Sequence, residues 1–278
     1  MDSVNLVLVG LVGLVAGGFA TMLIDRIPDK SPLSLRSRCP HCEHQLAVAD
    51  VIPVLSWLRR RSCHHCNAPV TVAYPLVELA TAGLFVAAAA RYGWEWELLP
   101  PLVLIVALVS LSMIDMYEYR LPDRLVFPSL GLSGLVIVVA AFGIDRPGAI
   151  GRAGAGMAIY FLTLFVAHLI SPRGMGFGDV KLALLLGLHL GWAAGSRYVG
   201  WSSVFRLVVW GLLAGCLLGV VGGISVALCR RAGRNVVVDP EARDGQPTRL
   251  LGHSFPFGPG LAAGTIVVVF FSDTVIGV

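Results

Sequence analysis

The sequence predicts an all-α polytopic membrane protein of about eight transmembrane helices. Three observations point there. Of the 278 residues, 56% are hydrophobic and only 14% are charged, against about 25% charged in soluble domains. The charges are absent from long stretches such as 4–24, 98–114 and 207–229, and roughly 20 mostly apolar residues suffice to span a bilayer as a helix. The chain also carries 32 glycines, which in lipid let helix backbones approach closely. Backbone groups in lipid must pair internally, so the apolar runs read as helices, not open strands.

Taken in order, the spans fall at about 4–24, 73–91, 98–114, 125–143, 153–170, 180–195, 204–228 and 258–276. The run 180–195 is the least typical, being short and holding His189. The first run is not read as a cleaved signal peptide: nothing basic precedes it, and the positive charges follow it. The domains expected are a first helix (1–24), a loop domain (25–72) and a membrane domain (73–278). The segment 233–252, rich in Arg, Asp, Gly and Pro, reads as an exposed loop.

The net charge of +4 matters through its placement and gives no reason to expect a nucleic-acid partner. With the N-terminus outside, Arg91, Arg146, Arg152, Arg197 and Arg206 fall on the outer side, and the other sixteen of the 21 Lys and Arg fall inside. The positive-inside rule therefore favours N-out, with 25–72 in the cytoplasm.

That loop holds Cys39-Pro40-His41-Cys42 and Cys63-His64-His65-Cys66, separated by twenty residues. This is the spacing of a structural zinc site, in which Cys39, Cys42, Cys63 and Cys66 would close a tetrahedron around Zn²⁺. So short a loop has little core of its own, and a metal staple supplies what packing cannot. Disulfides are disfavoured in the cytoplasm. Unbound thiols or an iron centre are the alternatives. His41, His44, His64 and His65 lie beside the site, and Cys216 and Cys229 read as small residues of an apolar helix.

Two carboxylates stand at the ends of apolar helices. Asp115 follows seventeen uncharged residues, and Asp179 follows Gly174-Met175-Gly176-Phe177-Gly178. Ionisable groups at membrane depth are costly and mark functional sites by default. The plainer reading is a helix cap, for which Asp179 is suited. The topology brings both to the same side of the membrane, and Gly176 and Gly178 leave room for an extended peptide. Two facing carboxylates that share one proton are the minimal equipment of an aspartic protease. Asp123 competes as second partner, but its setting in Arg120-Leu121-Pro122-Asp123-Arg124 fits a solvated turn and helix N-cap. Glu78 sits early in a helix as a polar or substrate contact. Lys181 either steadies a carboxylate or snorkels to the interface. His168 and His189 read as packing or hydrogen-bonding residues.

These motifs, in this order, resemble the bacterial type IV prepilin peptidases. The resemblance runs from Gly17-Gly18-Phe19 and Arg26-Ile27-Pro28 through Ser37-Arg38-Cys39-Pro40-His41-Cys42 and Ile52-Pro53-Val54-Leu55-Ser56-Trp57-Leu58. It continues through Tyr74-Pro75-Leu76-Val77-Glu78, Ile114-Asp115, Leu121-Pro122-Asp123 and Gly176-Phe177-Gly178-Asp179-Val180-Lys181 to Pro256-Phe257-Gly258-Pro259. It implies that Asp115 and Asp179 are the catalytic pair, the second in a Gly-x-Gly-Asp motif shared with presenilin-type proteases, and that Asp123 is a motif residue without a catalytic part. The implied partners are prepilin or pseudopilin precursors with a basic leader ending in Gly and an apolar helix held in the bilayer. Cleavage after that Gly is implied at the cytoplasmic face of the bacterial inner membrane. Many members also methylate the new N-terminus with S-adenosylmethionine. The chain departs from the family pattern at Val51, at Thr21-Met22 and at Asp25, all in the half linked to methyl transfer. A transporter or channel with a zinc-stapled loop is the alternative class, since broken Gly-rich helices suit it, but it does not account for the order of the motifs.

Overall fold

The structure, a computed structural model, describes residues 3–28, 42, 57, 62–68, 71–172, 175–198, 200–231 and 256–277. Cys39, most of 25–72 and all of 233–252 lie outside them. The described chain is helical: α1 Ser3–Arg26, α2 Ala73–Tyr92, a 3₁₀ turn Trp96–Leu98, α3 Leu99–Glu118, α4 Asp123–Gly143 and α5 Gly148–Ile170, then α6 Phe177–Arg197, α7 Trp201–Arg231, α8 Gly258–Phe270 and α9 Ser272–Ile276. Prolines open α2, α3 and α8 within the first turn, where a missing N–H costs no hydrogen bond.

Among the described residues, seven helices are long and apolar enough to cross a membrane. The last predicted span differs. It consists of the 13-residue α8 and the five-residue α9, broken where Phe271 leaves the helical region at φ −104° and ψ 26°. At 1.5 Å per residue, α8 is only about 20 Å long. The least typical expected span, 180–195, proves to be α6, with the lowest mean hydropathy of the seven at 1.2. Its residues are buried almost continuously from Leu182 to Ser196. A helix shielded from lipid by its neighbours needs no apolar coat, so it tolerates Gly187, His189, Gly191 and Ser196.

Three antiparallel seams of small residues set the packing. A Cβ placed on Gly191 would lie 2.8 Å from the Ala153 Cα, and one on Gly195 would lie 2.9 Å from the Ala149 Cα, so α5 and α6 meet backbone to backbone. Gly260 and Gly264 of α8 meet Gly219 and Gly215 of α7 in the same way, each Cβ position falling 2.5 Å from the facing Cα. Gly13 and Gly17 of α1 face Ala82 and Glu78 of α2. Without a hydrophobic drive between helices in lipid, such close contact supplies the dispersion energy of association.

The two ends of the bundle are chemically distinct. At one end lie the five arginines expected outside, and each has a partner. Arg91 donates to the Phe270 carbonyl at 2.9 Å and pairs with Asp273 at 2.5 Å. Arg146 donates to the Ser196 carbonyl at 2.6 Å, and Arg152 to the Tyr198 carbonyl at 2.7 Å. Arg197 pairs with Glu97 at 3.1 Å, and Arg206 reaches the Ile276 carbonyl at 3.3 Å. Four of the five thus serve carbonyls at or just past helix C-termini, where orphan acceptors and the negative dipole end favour a cation. Tyr198 donates its hydroxyl to Asp273. Burial, then that contact, raises its pKa.

The α5–α6 seam gives a direct test. Gly191→Ala forces a methyl against the α5 backbone, and overpacking of this kind costs about 1–3 kcal/mol. Gly131 has open space around its Cβ position. Thermal unfolding in detergent is expected to show a lowered midpoint for Gly191→Ala and an unchanged or raised one for Gly131→Ala.

Candidate functional site

At the end of the bundle opposite the arginine cluster, α3 and α6 bring two carboxylates into one buried region. Asp115 lies one turn from the C-terminus of α3, which closes at Tyr119 in the left-handed conformation (φ 52°) with its N–H on the Asp115 carbonyl at 3.0 Å. Asp179 is the third residue of α6. Gly176 is the extended N-cap, and its carbonyl accepts from the Asp179 N–H at 3.1 Å. Both side chains are removed from water, with residue exposures of 6% for Asp115 and 9% for Asp179. One side chain, Leu121, packs both against Gly178, next to Asp179, and near Gly258, the hydrogen-bond donor to Asp115.

The walls of this region come from three separate stretches. Leu121 packs over Gly178, its Cβ lying 3.2 Å from where a Cβ at 178 would be. Its Cδ1 also comes within 3.7 Å of the corresponding position on Gly258. Gly258 itself, the first residue of α8, donates its N–H to Asp115 Oδ2 at 3.1 Å. His168, in the last turn of α5, holds the approach to Gly176 through Nδ1 and the Met175 carbonyl, 2.9 Å apart, and its ring lies against Phe177.

Asp179 is not the helix cap that the plainer reading allowed: no side-chain hydrogen bond caps α6, and the residue lies inside the helix. Asp123 departs from its expected cap in a similar way. Pro122 is the N-cap of α4, again without a side-chain bond. The Asp123 carboxylate instead accepts both contacts of Lys181 Nζ, at 2.6 and 2.9 Å. Lys181, two residues past Asp179, also sits 5.3 Å from the Phe177 ring centre. The pair ties the N-terminus of α4 to that of α6. Glu78 stands on α2 with its Cα 2.6 Å from the Cβ position of Gly17, so it belongs to the α1–α2 seam. Beside it, Tyr74 donates to Asp25 at 2.9 Å, which gives that departure from the family pattern a partner on the next helix.

The second cluster lies in the loop between α1 and α2. The ligand atoms of Cys42, Cys63 and Cys66 all fall within 4.8 Å of one another, an arrangement that could hold a metal ion. Cys42 and Cys63 sulfurs are 4.0 Å apart, close to the edge of about 3.8 Å that a tetrahedron with 2.3 Å metal–sulfur bonds requires. The second Cys pair forms a tight knuckle. Asn67 N–H donates to the Cys63 carbonyl at 3.1 Å, and Cys63 N–H to the Ala68 carbonyl at 2.8 Å. The His65 N–H points at Cys63 Sγ, 3.4 Å away, a contact that favours thiolate.

Comparison with known proteins bears on both clusters. The bacterial peptidase A24 N-terminal domain matches residues 11–92, and the type IV leader peptidase family matches residues 102–224. A prepilin leader peptidase/N-methyltransferase from Aeromonas hydrophila is 31% identical over 294 residues, covering 96% of this chain and 91% of the relative. One from Myxococcus xanthus is 40% identical over 191 residues, covering 66% of this chain and 56% of the relative. One from Bacillus subtilis is 29% identical over 268 residues, covering 96% and 94%. The chain belongs to the type IV leader peptidase family. No solved structure matches it.

The thiol cluster falls within the first family match, and Asp115, Asp123, Asp179 and Lys181 within the second. Gly258 lies beyond both. Its tie to Asp115 spans 143 positions of sequence and had one faint signal, the Pro256-Phe257-Gly258-Pro259 motif.

The Lys181–Asp123 pair is half open to water, with side-chain exposures of 24% and 54%. Exposed pairs contribute about 0–1 kcal/mol. A double-mutant cycle on Lys181→Ala and Asp123→Ala, read by thermal stability, is expected to give a coupling below about 1 kcal/mol.

Proposed function

We propose that Asp115 and Asp179 are the catalytic pair of an aspartic endopeptidase that removes basic leaders from type IV prepilins or type II secretion pseudopilins. The observation that carries the reading is the burial of these two carboxylates together at one end of an otherwise apolar bundle. Like charges brought close together cannot both ionise, so the mechanism needs one proton shared between them. The ionised member takes a proton from water as that water attacks the scissile carbonyl. The protonated member donates to the carbonyl oxygen. The pair titrates as a unit, and no covalent intermediate forms. Gly176 and Gly178, lacking side chains, leave the approach to Asp179 open for an extended substrate. Asp123 and Lys181 support the site by fixing the helix that carries Asp179. Glu78 is a supporting contact on the neighbouring seam.

The substrate's apolar helix remains in the bilayer beside the bundle, and its leader stays in the cytoplasm. Cleavage after the leader's final Gly then occurs at the inner face. The charge distribution supports this orientation, with the N-terminus outside and the thiol cluster and aspartates facing the cytoplasm. In that orientation the protein is a multi-pass component of the bacterial inner membrane.

Cys42, Cys63 and Cys66, with Cys39 as the fourth ligand, hold a structural Zn²⁺ that ties the loop domain together. When bound, the ion supplies folding energy to a segment too short for a core of its own. The names of the relatives support a second activity, N-methylation of the trimmed chain with S-adenosylmethionine as donor. No motif places a channel or transporter ahead of this reading.

Purified protein incubated with a prepilin is expected to yield a mass loss equal to the leader, followed by a methyl increment when S-adenosylmethionine is present. Asp115→Asn and Asp179→Asn should each lower cleavage by at least about 10²-fold while the protein still accumulates in the membrane. Normal cleavage by either variant overturns the assignment. Charge reversal in the leader should impair cleavage, and unimpaired processing sinks the electrostatic part. Elemental analysis is expected to find zinc in the wild-type protein and its loss in Cys63→Ser.

A further inference from the structure

We propose that Gly258 is a positioning residue of the peptidase site, and that the N-terminus of α8 holds Asp115 in place. The inference rests on the reading of Asp115 as catalytic and extends it to a residue outside both family matches.

The first N–H groups of any helix have no partner inside it. No side chain from its own flank caps α8, whose N-cap is Phe257. The structure fills the vacancy from another helix: the Gly258 N–H, the first of α8, donates to Asp115 Oδ2 at 3.1 Å. Asp115 therefore caps α8 in trans. The contact joins a carboxylate to the positive end of a 13-residue helix dipole. Its surroundings are dry, since Pro256, Gly258 and Asp115 are all buried. A buried carboxylate near the C-terminal end of α3 faces the negative end of that helix's dipole, and the Gly258 N–H compensates from outside.

Glycine also leaves the carboxylate undisturbed. A Cβ at 258 would lie 2.7 Å from Asp115 Oδ2 and 3.3 Å from its Cγ. The clash falls on the carboxylate itself, which sits on a buried, packed helix. Any side chain at 258 thus displaces Asp115 relative to Asp179. Gly260, two residues on, is equally tight, but its Cβ position meets only α7, with the Gly219 Cα at 2.5 Å. The two glycines therefore separate positioning from packing.

Two measurements on the full-length protein in detergent test this. In prepilin cleavage, Gly258→Ala is expected to lower kcat by about 10- to 100-fold, the loss typical of a small misplacement of a reacting group, with KM nearly unchanged. Gly260→Ala should lower thermal stability and leave kcat per folded molecule at the wild-type level. Wild-type kcat in Gly258→Ala, or an equal kcat loss in Gly260→Ala, overturns the proposal.

Amide hydrogen exchange needs no active enzyme. Exchange across 256–262 should accelerate by at least about 10-fold in Asp115→Ala, which removes the acceptor, and stay near wild type in Asp115→Asn, which keeps one. Unchanged exchange in Asp115→Ala overturns the proposal even if Gly258→Ala fails to fold. Active Asp115→Asn would instead sink the catalytic reading of Asp115 and leave the exchange result standing.

Discussion

The constraint on which everything else depends is backbone contact between helices in a medium that offers no hydrophobic drive for association. Along the α5–α6 seam, Gly187, Gly191 and Gly195 lie against Ala149, Ala153 and Gly156. Along the α7–α8 seam, Gly215 and Gly219 lie against Gly260 and Gly264. The first seam fixes the height and rotation of α6, whose N-terminal turn carries Asp179. The second fixes α8, whose first N–H meets Asp115. A methyl group at these seams would meet the facing backbone, so it would act first on packing and stability.

The same geometry sorts charge along the bundle. At one end, arginines occupy the C-terminal carbonyls of α6 and α8, so cations that the positive-inside rule would place elsewhere are held by orphan acceptors. At the other end, carboxylates meet a helix N-terminus and a lysine. Each of these charges meets a helix terminus of opposite polarity or a counter-ion. That pairing is what lets a chain this apolar carry ionisable groups near membrane depth.

The candidate site thereby joins two opposed demands. Burial keeps water scarce, which strengthens every electrostatic interaction inside. Proteolysis needs water and an extended peptide. Gly176 is exposed and Gly178 partly so, so the opening lies on the α6 side of the site, next to the turn that His168 holds. The α3 side, closed by Leu121 and Gly258, is the rigid wall.

The sequence by itself determined the class and the chemistry. Long apolar runs marked eight spans, of which seven are helices of membrane-crossing length among the described residues, and paired Cys-x-x-Cys knuckles marked a thiol cluster. Asp115 and Asp179 stood out because a carboxylate is costly where it was found. These properties are legible because they depend on composition and local spacing. Tertiary structure decided the rest. Only packing shows that the span of lowest hydropathy is the central helix, since shielding by neighbours is not written in the helix itself. Only packing divides the last apolar stretch into α8 and α9, gives Asp123 to Lys181 in place of a helix cap, and brings Gly258 to Asp115 across 143 residues. A hydrogen bond between a backbone amide and a distant side chain leaves no periodic trace, because every residue but proline carries that amide.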